Sequence, residues 1–248
     1  MIESLLLSTT RISTFDNDVL QTNATGFFFR NQDRLFLVTS LHVVIDEATE
    51  HHPNRLEFEI HIDEENLAVS TGFSILLYKD GKSIWRDAVD TAGSVDVAVI
   101  EIEQSALPAG AIYHAFDTEQ LIQADSNIEI GASALVVGFP LGFHDTLHHL
   151  PVVRHAIVAS TIGLRFQGNG YFLTDARTHR GSSGSPVVTK LESDASNGEE
   201  PTWVLLGIHS SRLDIGTRDM QIDEALGLNC TWYSDILLTL TSAGKSRR

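Results

Sequence analysis

Apolar residues gather along this chain in short runs, and polar turn formers interrupt them too often for long helices. The runs ATGFFFR (24–30), RLFLVTS (34–40), RLEFEIHI (55–62), FSILLYK (73–79) and VDVAVIEI (95–102) occupy the first part. SALVVGFP (133–140), VRHAIVAS (153–160), GYFLTDA (170–176), SPVVTK (185–190) and WVLLGIHS (203–210) occupy the second. Rich in Val, Ile, Leu and Phe and bounded by Gly, Asn, Asp or Pro, they predict strands. Helical pattern is confined to a turn after His42 (VVIDEA) and to SDILLTLTSA (234–243), where Ser234 can cap and Asp235 falls in the first turn. IEQSALPAGAIYHAFDTEQ (102–120) breaks the strand rhythm and predicts a boundary between two β lobes at 115–125, dividing the chain into 1–118 and 119–248. LESDASNGEEP (191–201) reads as an exposed acidic hairpin loop.

Composition narrows the partners. The 248 residues carry 17 basic and 33 acidic side chains, a formal charge of -16, which disfavours nucleic acid and anionic membranes. Cys230 is the only cysteine, so no disulfide framework forms. The opening MIESLLLSTT has Glu3 where a signal peptide carries lysines, and nothing approaches the roughly 18 apolar residues of a membrane span. The expectation is a soluble, cytoplasmic, bacterial-type protein.

Candidate chemistry lies in THRGSSGSP (178–186). Serine at its free pKa is a poor nucleophile; it needs a histidine to take its proton, a carboxylate to orient the histidine, and N–H donors for an oxyanion. FLVTSLHVV places His42 after an apolar strand, SVDVAVIEI places Asp96 at the start of another, and RGSSGSPVV places Ser183 on a tight turn before a third. Gly181 would let the backbone approach a substrate closely. Singly, His42 reads as well as a core histidine and Asp96 as a strand-end turn residue; jointly they read as a triad.

The order His, Asp, Ser, with TSLH, DVAVI and GSSGSP each on a β background, resembles the chymotrypsin-like (trypsin-like) serine peptidases. TDARTHRGSSGSPVV is similar to their bacterial HtrA-like and glutamyl-endopeptidase branches. The resemblance covers roughly residues 20 to 243. It implies an all-β fold: a double six-stranded β-barrel of chymotrypsin type with a short C-terminal α-helix. His42 and Asp96 would come from the first lobe and Ser183 from the second, with an oxyanion hole from Gly181 and Ser183. The implied activity is serine endopeptidase on protein or peptide substrates through an acyl-enzyme, with no cofactor; no oligomeric state follows.

Specificity is also implied. Arg177 stands where trypsin-like enzymes carry the aspartate that attracts basic residues. GIHSSR looks like the matching strand of the exfoliative toxins and glutamyl endopeptidases, so Thr178, His209 and Arg212 would hold a substrate carboxylate and favour Glu, then Asp, before the scissile bond. Ser210 would hydrogen-bond Asp96, the backbone of Ser210, Ser211 and Arg212 would pair with extended substrate, and Gly227 would keep one pocket wall low. Long-range repulsion from the charge of -16 opposes this, but screening over about 8 Å lets the local pocket dominate. Ser182 replaces the zymogen aspartate, so no activating cleavage is expected, and the chain ends at Arg248 without room for the PDZ domain of HtrA proteases. FHDTLHHLPVVRH (143–155) has metal-like spacing but reads as a solvated or substrate-facing loop. An HtrA-like preference for small apolar residues, and a catalytically weak peptide-binding module, are the alternatives.

Overall fold

The computed structural model describes residues 3–123, 126–191, 202–213 and 227–242. The acidic loop 191–201 therefore lies, beyond Leu191, outside the described residues. A short helix α1 (Ser4–Leu7) precedes β1 (Thr9–Asp16), β2 (Val19–Asn31) and β3 (Arg34–Thr39). One helical turn, α2 (Leu41–Val44), leads to β4 (Arg55–His61), β5 (Ser70–Leu76), β6 (Tyr78–Lys79), β7 (Lys82–Ser83), β8 (Trp85–Asp90) and β9 (Gly93–Ile102). The second half contains β10 (Ser133–Gly138), β11 (Val152–Val158), β12 (Tyr171–Asp175), β13 (Pro186–Lys190), β14 (Trp203–Arg212) and β15 (Leu228–Tyr233), then helix α3 (Ile236–Thr241).

The first half is a seven-stranded sheet in the order β5-β4-β1-β2-β3-β9-β8, and the second is a closed barrel, β10-β11-β12-β15-β14-β13. All paired strands within them are antiparallel. The unbroken apolar runs of β2, β3 and β9 follow from burial on both faces. Side chains alternate across a strand, so Leu35 and Leu37 enter the first-lobe core while Phe36 and Val38 enter a core shared by both halves. On β9, Val95, Val97 and Val99 face the shared core, whereas Ala98, Ile100 and Ile102 face the first-lobe core. Asp96 has the parity of the latter set, at the sheet end where the core opens.

Three features join the halves. The strap after β9 bridges to the first sheet at His61–Ile112 and Phe29–Phe116, and to the barrel at Leu121–Leu205. Leu237 and Leu240 of α3 pack into the shared core, and Arg34 Nη1 donates to the Thr241 carbonyl (3.0 Å) while Arg86 Nη1 donates to that of Ser242 (3.0 Å). The third is Thr25, described below. Ser234 does not cap α3: its hydroxyl donates instead to the Leu205 carbonyl at 2.7 Å, and Asp235 occupies the N-cap position without a side-chain bond. No helix among the described residues is long and apolar enough to cross a membrane.

Candidate active site

His42 sits in the first turn after β3, because Ser40 keeps an extended backbone and α2 begins at Leu41. Asp96 grips it twice: Oδ1 accepts the His42 backbone N–H at 2.9 Å and Oδ2 contacts Nδ1 at 2.8 Å. An ionised carboxylate can only accept, so Nδ1 carries the proton and Nε2 keeps its lone pair for the cleft. Ser210 Oγ donates to Oδ2 as well, so Asp96 accepts three bonds. The imidazole pKa is raised above its usual 6.5: burial alone would lower it, and the hydrogen bond and charge of Asp96, with a smaller contribution from Asp46, outweigh burial.

Ser183 lies on the turn between β12 and β13. From Gly181 to Val188 it is the one residue that is not buried. Four consecutive carbonyls of the turn, from Arg180 to Ser183, are engaged in hydrogen bonds. Leu141 N–H donates to Arg180 O at 2.5 Å, Thr25 Oγ1 to Gly181 O at 2.7 Å, Ser185 N–H to Ser182 O at 3.0 Å and Thr25 N–H to Ser183 O at 2.9 Å. Among the described hydrogen bonds, the N–H groups of Gly181 and Ser183 donate to nothing, and Ser183 Oγ takes part in none. Both glycines are required here. Gly181 (φ +90°) and Gly184 (φ +83°) adopt left-handed conformations, and an added Cβ would lie 2.5 Å from Phe139 O and 2.2 Å from Thr25 O respectively.

One cleft of about 500 Å³ is lined by His42, Arg180, Gly181 and Ser183, with Asp46 and Asn23 at its sides. The structure thus brings His42, Asp96, Ser183, Gly181 and Ser210 together. On β14, the ladder to β15 pairs His209 with Thr231 and then Arg212 with Asn229, skipping Ser210 and Ser211. These two residues bulge opposite Cys230; on the other side of β14 the ladder to β13 ends at Pro186–Ile208, with a last bond from Gly184 N–H to His209 O, and the Ser211 and Arg212 side chains are exposed.

Two of the residues expected to hold a carboxylate, Thr178 and Arg212, meet at Asn229, which the sequence did not single out. Asn229 is fully buried; its Nδ2 donates to the carbonyls of Ala176 (2.9 Å), Gly227 (2.8 Å) and Thr174 (3.3 Å). Its Oδ1 accepts from Thr178 Oγ1, and it stands opposite Arg212 in the ladder. Thr178 is therefore committed to Asn229 in the resting structure. The only signal in the sequence was a polar residue inside the apolar run LNCTWY. His209 is 2% exposed and its Nδ1 has no hydrogen-bond partner among the described residues. Burial, with the neighbouring charges of His42 and Arg212 and against that of Asp96, pushes its pKa down to about 4, so it is neutral at physiological pH. Gly227 takes a left-handed φ of +66° beside Asp175.

The histidine-rich loop is tied to the first sheet, with His61 Nε2 meeting the His148 carbonyl at 2.6 Å, and otherwise makes contacts within its own half. His144 Nδ1 meets the Gly142 carbonyl at 2.6 Å, His148 Nδ1 meets Asp145 at 2.7 Å, and His155 Nε2 meets Ser133 Oγ at 3.0 Å. Among the described residues no three His, Cys, Asp or Glu side chains converge as a metal site.

Two packed β units presenting a serine and a carboxylate-held histidine to one cleft define a chymotrypsin-type double-barrel protein. Residues 24–193 match the family model of the trypsin-like peptidase domain, and the chain belongs to that family. Among solved structures it is similar to a serine endoprotease from Yersinia pestis, at 15% identity and a TM-score of 0.54, covering 95% of this chain and 62% of that one. The chain thus spans less than two thirds of that relative, and at this identity the likeness shows the fold alone. It is also similar to an inactive form of the Rv3671c protease of M. tuberculosis, at 17% identity and a TM-score of 0.49, covering 96% and 91%. No curated protein matches the sequence.

Proposed function

We propose that the chain is a serine endopeptidase that cleaves peptide bonds through an acyl-enzyme on Ser183. His42 is the general base and then the general acid, Asp96 orients and charges it, Ser210 steadies Asp96, and the Gly181 and Ser183 N–H groups stabilise the oxyanion. The observation that carries this reading is the two-point grip of Asp96 on His42, which turns Nε2 into the cleft that Ser183 lines. The edge of β14 beyond His209, where β13 has ended, suits an extended substrate added as a short strand.

The preferred residue before the scissile bond is Glu, then Asp. Arg212 supplies the positive charge, neutral His209 supplies one N–H, and Thr178 is held in place by Asn229. Charge-assisted bonds are worth about 1.5–3 kcal/mol each, so a peptide library varied at this position should give kcat/KM at least about tenfold higher for Glu than for Ala. Arg212→Gln should erase most of the difference. The commitment of Thr178 to Asn229 favours a second reading, a preference for small apolar residues; equal or better turnover of Ala replaces the acidic reading with it.

A pH profile tests the base. His42 must be neutral to accept the Ser183 proton, and its pKa is raised, so kcat/KM should fall as pH drops with a midpoint above 6.5. The stability sign runs the other way. The charged His42–Asp96 pair contributes fully below the unfolded value of 6.5, and that contribution is lost as pH rises through the raised folded value. A limb centred below 6.5 argues against His42 as the base held by Asp96.

A further inference from the structure

A second cleft, of about 620 Å³, opens beside the barrel between β11 and the segment that precedes the Ser183 turn. Three independent features of it point the same way. The first is charge. In a protein with 33 acidic and 17 basic side chains, no acidic residue is among those lining this cleft, which include Arg154, Arg177, His155 and His179. Arg154 and Arg177 make no ion pair and no side-chain hydrogen bond among the described residues, whereas Arg34, Arg86 and Arg165 each hold a carboxylate. The second is apolar exposure: Leu141 and Phe143 on one wall are 71% and 70% exposed, and Val153 on another is 43% exposed.

The third is an open sheet edge. β11 pairs with β10 along Val152–Ile157, but with β12 only at Ile157 and Val158. The side of β11 turned toward β12 is therefore unpaired from Val152 to Ala156, and Val152, Val153, Arg154 and His155 all line the cleft. Unpaired strand edges accept an added strand, whose main chain supplies affinity and whose side chains supply selectivity.

We infer that this cleft is a binding site for an extended acidic peptide segment of a partner protein. The segment adds a strand to the edge of β11 at 152–156, its carboxylates meet Arg154 and Arg177, and its apolar side chains cover Phe143 and Leu141. The site is distinct from the cleft of Ser183 and does not depend on the peptidase reading. It nevertheless adjoins it: the turn carrying Leu141 holds by its N–H the Arg180 carbonyl, which shares a peptide group with the Gly181 N–H.

The test uses the full chain bearing Ser183→Ala and a fluorescein-labelled octapeptide of alternating valine and glutamate, titrated by fluorescence anisotropy. Saturable binding is expected, weakening with added salt and at least about tenfold weaker when glutamine replaces glutamate. Arg154→Gln with Arg177→Gln should cost at least about tenfold in affinity, and Lys79→Gln, exposed on β6 and lining neither cleft, should bind like the parent. Hydrogen exchange should report new protection of the 152–156 amides on peptide addition, a readout on the parent protein that needs no substitution. Equal affinity of the glutamine peptide, parental affinity in the double arginine variant, an equal loss in Lys79→Gln, or binding without protection at 152–156 would each overturn the assignment. Protection confined to 210–212 would assign the peptide to the Ser183 cleft and so leave the peptidase reading intact.

Discussion

Ser183→Ala is expected to lower peptide turnover by about 10⁴- to 10⁶-fold, the range found when the nucleophile of a serine triad is removed. Labelling by a fluorophosphonate probe should disappear with it. The substitution is a clean test because the Ser183 hydroxyl joins no hydrogen bond among the described residues. Its loss orphans no buried group, and the main-chain frame of the turn, set by Thr25, His209 and Ser182, is untouched. The thermal midpoint should therefore stay within the small range of a neutral surface change. Turnover above about one per cent of the parent, with the fold intact, would mean that another group performs the attack.

Asp96→Asn is expected to cost about 10⁴-fold in kcat, for a different reason. The amide is nearly isosteric, but its nitrogen donates where Oδ2 accepted, and a group that accepts from both Ser210 Oγ and His42 Nδ1–H loses one of its roles. The imidazole is driven toward the other tautomer, with the proton on Nε2 and no lone pair for the serine. The same change removes the hydrogen bond and charge that raise the His42 pKa while leaving its burial, so the acidic limb of whatever activity survives should move to lower pH. A role confined to folding would lower the amount of active protein without moving that limb. An unmoved limb with full residual activity would remove Asp96 from the mechanism.

Much of this architecture was legible because strands buried on two faces announce themselves as continuous apolar runs. β2, β3, β9, β10, β13 and β14 were all visible for that reason. β1 and β15 were not: the inward positions of β1 include Thr10 and Thr14, and those of β15 are Asn229 and Thr231, all buried. Buried polar residues break the alternation by which a strand is recognised, and in β15 they exchange hydrogen bonds with Thr174 and Thr178. β8 was missed because its sequence, WRDAVD, lies at the sheet edge with Trp85 alone buried. That His42 would meet Asp96 and share a cleft with Ser183 was readable from chain order and local context. Asn229 was not, since its role is defined by four partners that are distant along the chain or carried by the backbone. The cap assigned to Ser234 failed similarly, because a long-range carbonyl on β14 captured the hydroxyl.

Thr25 belongs to β2, yet its hydroxyl donates to Gly181 O and accepts the Phe139 N–H at 3.1 Å, while its own N–H donates to Ser183 O. The loop bearing Ser183 is thus stitched to the opposite half of the molecule through the carbonyls of Gly181 and Ser183 themselves. Neither half, produced as a separate fragment, would retain that loop in its native shape, and mixing the two fragments would be needed to recover it. A swivel of one half against the other is coupled through the same stitches to the loop, so the two cannot drift apart while it stays in place.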